Sequence, residues 1–290
     1  MHTHSMGNNS RKLFYSIALT GLIFIAEFVG GLWTGSLALL SDSAHVFMDM
    51  FALGLSYLAI RAAALPANDR HTYGYHRMQV LAALVNGATL LFISFEILKE
   101  AIHRFQNPLP IEAGPMLVIA IIGLVVNVIV ALVLRNHDHE DINTRSAFLH
   151  VLGDALASVG VIIAGIAIYF TNLLWIDPLV SILISVLILV SSGRLLKETI
   201  HILAEGIPEG MTASGVEETM KAVSGIAEIH DLHIWTVAPG FVTLSAHVIL
   251  DDQNLSQTEA IMQELKGRLI AAYKIEHTTI QFECADCGQG

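Results

Sequence analysis

Charged side chains are scarce in this chain, at 14% of 290 residues against 54% apolar ones. So little charge, with long uncharged runs between residues 13 and about 200, excludes an ordinary soluble globular protein and leaves a membrane protein. Cysteine is nearly absent, with only Cys284 and Cys287 present; a disulfide-stapled scaffold is therefore excluded. Basic residues number 15 against 26 acidic, a net charge of -11, and no nucleic-acid partner is expected. The apolar segments carry no H-E-x-x-H sequence and no additional nucleophile, so the pattern of a metallohydrolase is missing. No small-residue cleavage site ends the first apolar run, which is expected to be a span rather than a signal peptide.

What is present is length. Windows near 13–33, 37–60, 80–103, 115–135, 146–170 and 177–196 can each cross about 30 Å of hydrocarbon. They predict an α-helical membrane protein with a cytosolic tail over 1–12, a six-helix transmembrane domain over 13–204 and a compact domain over 205–290. Arg11, Lys12, Arg61, Arg70, Arg77, Arg135, Arg145, Arg194 and Lys197 would share one side, with Lys99 and Arg104 on the other. That asymmetry predicts cytosolic termini. The expected location is multi-pass, in a bacterial inner (plasma) membrane, and the two cysteines then face a reducing compartment.

Two apolar segments contain the same pattern, His45-Val-Phe-Met-Asp49 and His150-Val-Leu-Gly-Asp154. Spacing of i and i+4 puts His and Asp on one helical face, about one turn apart, so each segment offers half of a metal site. Two imidazole nitrogens and two carboxylate oxygens form a tetrahedral set suited to Zn²⁺. The segments fall in the second span of each three-span half, and an odd number of spans per half gives the halves opposite orientation. Nominal depths differ: Asp49 lies about 18 Å from Arg61, and Asp154 about 14 Å from Arg145. Metal needs neutral imidazole and ionised carboxylate, so zinc and protons compete for the site. An intramembrane zinc hydrolase is the competing reading. Four protein ligands leave no open position for a catalytic water, which favours carriage over chemistry.

Other polar residues are expected either to line an ion path or to bond between helices: Glu27, Asp42, Asn86, Glu96 and Asn127. Glu27 is the best further candidate for the path, and Asp42 is expected to cap or approach the outer end of span two. Asn136-His-Asp-His-Glu-Asp141 either collects cations or is a solvated loop. The last domain reads as helix 212–223, strand 226–237, strand 241–250, helix 256–273 and strand 277–283, with a turn at Pro239-Gly240 and a capping box from Ser256 to Glu259. This order predicts a ferredoxin-like α+β domain. Cys284-Ala-Asp-Cys287 is half of a zinc-binding set, a weak signal when alone; His2 and His4 either complete it or belong to a disordered tail.

The paired His-x-x-x-Asp motifs, the α-β-β-α-β tail, His71-Thr-Tyr-Gly-Tyr-His-Arg77, His230-Asp-Leu-His-Ile-Trp235 and His277-Thr-Thr-Ile-Gln-Phe-Glu283 resemble the cation diffusion facilitator family over nearly the whole chain. The resemblance implies proton-coupled export of zinc by a homodimer, with the tail domains forming part of the dimer contact. It implies a transport site at His45, Asp49, His150 and Asp154. Members with Asp for the span-two His are less restricted to zinc, so this pattern favours zinc, with cadmium, cobalt or nickel as secondary ions. A cytosolic zinc set at His233, His247 and Glu283, with Cys284 and Cys287 nearby, is implied as well; His230 is an alternative to His233. Some relatives carry a further site before span three. His71 matches it, Tyr75 replaces a second His, and Asp69 and His76 are the remaining donors.

Overall fold

The computed structural model describes residues 3–135, 142–251 and 254–284, with side chains described from residue 19 onward except at 130–154, 156 and 255. Six long helices come first: α1 (Thr3–Thr34), α2 (Leu37–Ala63), α3 (Met78–Gln106), α4 (Ala113–Arg135), α5 (Ile142–Thr171) and α6 (Ile176–Leu203). Each expected window falls inside one of them. By length and composition α2, α3 and α6 can cross a membrane, and among the described residues the other three contribute shorter apolar stretches, Leu19–Thr34, Ala113–Ile129 and Ala157–Thr171. By contact the chain forms two compact units, residues 1–55 with 85–194 and residues 56–84 with 195–290. The boundary expected from composition lay at 204/205, whereas the contact division cuts through α2, α3 and α6.

In the first unit, the chain turns from α1 into α2 through Gly35, whose φ of +74° suits a residue without Cβ. Ser36 then caps α2: its hydroxyl accepts from the Leu39 N–H at 3.1 Å and its carbonyl from Leu40. The Leu37 and Ala38 N–H groups donate to Asp177, in the first turn of α6, at 2.7 and 3.2 Å. All four early donors of α2 are thus satisfied. Behind this corner, Ala38 and Leu39 pack with Met116 and Ala120 of α4, Val161 of α5, and Ile184 and Ile188 of α6. Asp42, expected to cap or approach the outer end of α2, approaches it without capping, because Ser36 and Asp177 take the capping role.

The tail contains α7 (Ala213–Lys221), β1 (Ile226–Ala238), β2 (Phe241–Leu250), α8 (Leu255–Tyr273) and β3 (His277–Glu283). The sheet order is β1-β2-β3, with β1 antiparallel and β3 parallel to β2. A hairpin through Gly240, φ +77°, joins the first two strands, and α8 supplies the crossover that a parallel partner needs. The capping box of α8 lies two residues earlier than expected. Gln257 Oε1 accepts from the Asn254 N–H at 3.0 Å, so Asn254 and Gln257 replace Ser256 and Glu259. One face of the sheet carries Ile229, Ile234, Leu244, Ala246 and Val248 against Val216 and Met220 of α7 and Leu265 and Leu269 of α8. The other face is free of these helices and carries the polar residues considered next.

Core position and surface position alternate within one turn of α8. Leu269→Ala, at a fully buried position, is expected to destabilise the tail by about 2–5 kcal/mol. Ile270→Ala, on the exposed side, should change it by no more than about 0.5 kcal/mol. Hydrogen-exchange protection of β2 in the full-length protein measures the difference.

Candidate functional site

His45 and Asp49 lie side by side on α2, as the i, i+4 spacing predicts. His45 Nε2 lies 3.8 Å from Asp49 Oδ2, and both side chains are 24% exposed. They occupy the edge of the packed region: Val46 and Met48 are buried, while Leu53, Tyr57, Leu58 and Ile60 face outward. His150 and Asp154 fall within α5, and their side chains lie outside the described residues.

Backbone levels can nevertheless be compared through a buried contact between α2 and α5. Ser158 Oγ donates to Asp42 Oδ2 at 3.0 Å and accepts from Asn127 Nδ2 of α4 at 3.5 Å. Beyond that contact, Ala38 and Leu39 share one buried cluster with Val161, so α2 and α5 run past each other in opposite directions. Counted from it, His45 and Asp49 lie about 5 and 10 Å along α2, and residues 154 and 150 about 6 and 12 Å along α5. As pairs they therefore span overlapping levels, although Asp49 and Asp154 taken singly still differ by about 4 Å.

The remaining polar residues differ in burial and in partners. Glu27 is buried in α1, its carboxylate set against Gly123 of α4 where a Cβ would overlap it. Asn127 serves the Asp42 and Ser158 contact. Glu96 is exposed and pairs with Lys99 at 3.0 Å on the same helix. Asn86 is half-buried in α3.

In the tail, among the described residues, one group of three donors could hold a metal: His230, His247 and Glu283, with ligand atoms all within 4.8 Å of one another. His230 Nε2 lies 3.2 Å from Glu283 Oε2, and His247 Nδ1 lies 2.9 Å from Glu283 Oε1. Their side chains are 19, 13 and 7% exposed for His230, His247 and Glu283. Two imidazole nitrogens and a carboxylate fit zinc, with one position left for a further ligand. The sheet register explains the choice of histidine. His230 stands opposite His247, and His233 opposite Ser245, so β1 carries one extra residue between the two pairs. Asp231 takes this bulge with φ +49°, a conformation Asp adopts more readily than most residues. Its carboxylate binds His233 Nε2 at 2.7 Å, and His233 is 64% exposed.

Asp231 also approaches His247 Nε2 at 3.8 Å, and sequence reasoning did not single it out. Its signal was its place inside His230-Asp-Leu-His233. Cys284 is free and exposed. Cys287 and His2 lie outside the described residues, as does the side chain of His4, and the 136–141 run also falls outside them. In the loop before α3, His71 stacks on Tyr75 with ring centroids 4.4 Å apart, and His76 meets Phe241 edge-on at 5.2 Å. Asp69, His71 and His76 do not form a three-donor group there.

Residues 13–204 match the family profile of the cation efflux transmembrane domain, and residues 208–285 match that of the cation efflux protein, cytoplasmic domain. The chain is 43% identical to the cadmium, cobalt and zinc/H(+)-K(+) antiporter of Bacillus subtilis, over 97% of this chain and 91% of that protein. It is 42% identical to the zinc transporter ZitB of Pectobacterium atrosepticum, over 99% and 89%. To the metal cation efflux system protein CzcD of Cupriavidus metallidurans it is 39% identical, over 99% and 91%. A solved structure of the metal-bound C-terminal domain of that organism's CzcD transporter is 37% identical, covering 25% of this chain and 99% of that one, with a TM-score of 0.23.

The tail geometry separates two neighbouring histidines. With the membrane pairs removed by His45→Ala and His150→Ala, His230→Ala is expected to weaken zinc binding to the full-length protein by more than about tenfold. His233→Ala should weaken it by less than about threefold. Zinc titration calorimetry distinguishes them, and equal losses would contradict the assignment.

Proposed function

The chain belongs to the cation efflux family, the cation diffusion facilitators, and from that premise we propose that it exports zinc from the cytosol in exchange for protons. The observation that carries this reading is the His45 and Asp49 pair, two metal donors on one turn of an apolar helix. Ionisable groups in such a place are costly and mark an ion path. The four-ligand site is His45 and Asp49 from α2 with His150 and Asp154 from α5, whose backbone levels correspond. Two nitrogens and two oxygens close a tetrahedral set around the transported ion. The names of the relatives, which include cadmium, cobalt and zinc, support a soft-to-borderline divalent cargo, with zinc first.

Exchange follows from the ligands. Zinc arriving from the cytosol binds neutral imidazole and ionised carboxylate, so loading displaces protons from His45 and His150. Protonation from the opposite side favours release. Because the two pairs belong to different helices, relative movement of α2 and α5 separates them and lowers affinity. With six spans and cytosolic termini, zinc enters from the cytosol, the compartment that also holds the tail. The tail is ferredoxin-like in its order of elements and forms part of a homodimer contact. Its His230, His247 and Glu283 set, with His233 and Cys284 alongside, reports cytosolic zinc to the transporter.

Zinc uptake into proteoliposomes with an acidic interior tests the reading. Wild type should accumulate zinc as the interior becomes more alkaline, and dissipating the gradient should stop accumulation. Asp49→Ala or Asp154→Ala should reduce flux by more than about tenfold. Substitution of the tail ligand, His247→Ala, should move the zinc concentration for half-maximal flux while leaving maximal flux within about twofold. A wild-type protein that moves no zinc would refute the export reading, and complete loss of flux in His247→Ala would refute the regulatory one.

A further inference from the structure

Helix α2 is fastened at one end. At its corner with α1, the Leu37 and Ala38 N–H groups donate to the two carboxylate oxygens of Asp177, and the Ser36 hydroxyl donates to the same group. Asp177 is fully buried and belongs to α6, 140 residues from Leu37 along the chain. Arg104 of α3 donates to the Gly35 carbonyl at 2.8 Å, and the Glu112 N–H donates to the Thr34 carbonyl at 2.9 Å. Three other parts of the first unit therefore hold one corner. The buried cluster around Ala38 and Leu39 lies at this same end, and beyond Met48 the side chains of Leu53, Tyr57, Leu58 and Ile60 are exposed while Met50, Phe51 and Leu55 are half-buried. Among the described residues, extensive backbone contact joins α4 to α5 and α1 to α4, and α2 takes part in neither pairing.

We infer that Asp177 is a positioning residue for transport, making the α1–α2 corner a fixed pivot for the stretch of α2 that carries His45 and Asp49. This rests on the reading of those two residues as transport ligands. An ionised carboxylate suits the position because the first turn of a helix presents unpaired N–H groups and positive partial charge. A neutral amide has a single acceptor oxygen and cannot take the place of both carboxylate oxygens. His45 stands eight residues beyond Leu37, about 12 Å along the axis. A tilt of about 10° at the corner would move it by about 2 Å, far beyond the tolerance of about 0.2 Å for a metal ligand. With the corner fixed, movement of α2 is left to its sparsely packed end beyond Asp49, and the His45 and Asp49 pair keeps its geometry.

Zinc flux, zinc affinity and amide exchange, measured on the full-length protein in proteoliposomes, test the proposal with Asp177→Ala, Asp177→Asn, Ser36→Ala and the Ser36→Ala/Asp177→Ala pair. Asp177→Ala should lower maximal flux by about tenfold or more and weaken zinc affinity by about three- to tenfold, short of the loss in His45→Ala. Exchange at residues 37–39 should accelerate by about tenfold or more, with α4 unchanged. Asp177→Asn should be intermediate, and the double variant should be no worse than Asp177→Ala, because Ser36 and Asp177 act as one unit. Wild-type flux in either Asp177 variant would overturn the proposal. So would loss of zinc affinity to the degree seen in His45→Ala, which would make Asp177 a ligand, or faster exchange throughout α4, which would make it a general fold residue. A wild-type protein moving no zinc would remove the transport reading and this proposal with it. Accelerated exchange at 37–39 would then locate the failure in that reading rather than in the corner.

Discussion

Hydrocarbon offers no hydrogen bonds, so each polar group that the apolar helices bury must find its partner within the protein. Two kinds of contact in the first unit answer that constraint. Thr34 and Ser41 return their hydroxyls to carbonyls of their own helices, Gly30 and Leu37. Asp42, Asn127, Ser158 and Asp177 instead reach across to other helices, and those contacts define which level of one helix faces which level of another. Polar residues are few enough here that each crossing contact carries register information that a uniformly apolar interface would lack.

The tail solves a different problem. Water can satisfy its open sheet face, so the concentration of His230, His247 and Glu283 there is not required for folding. Folding resides on the opposite face, where strands and helices share one core. This separation lets donors on the open face be chosen for chemistry while the core holds the strands in register.

Much of the architecture was legible because it depends on local periodicity. Six apolar runs became six helices, and the tail followed the expected order of elements. The adjacency of His45 and Asp49 was legible for the same reason, since an i, i+4 relation is fixed by helical geometry. Asp177 was not. An acidic residue ahead of Pro178 reads as a local helix start, and its partners at Ser36, Leu37 and Ala38 become apparent only once the chain has folded back. His230 and His233 could not be ranked either, because the bulge at Asp231 adds a residue that strand alternation does not reveal. The start of α8 shows a smaller version of this problem: Asn254 with Gln257 and Ser256 with Glu259 share one spacing, and the chain used the earlier pair.

The bulge also gives β1 an unusual sensitivity to chain length. Ile229 and Ile234 both face the core although five residues separate them, and only the extra residue reconciles that odd interval with a two-residue repeat. Substitutions at Asp231 leave the count intact. A one-residue deletion there would put the two segments of the strand out of phase, turning either Ile229 or Ile234 toward solvent and a histidine toward the core. Substitutions on the donor face therefore change its chemistry and leave the strand in register, whereas an insertion or deletion between His230 and His233 would act as a folding defect.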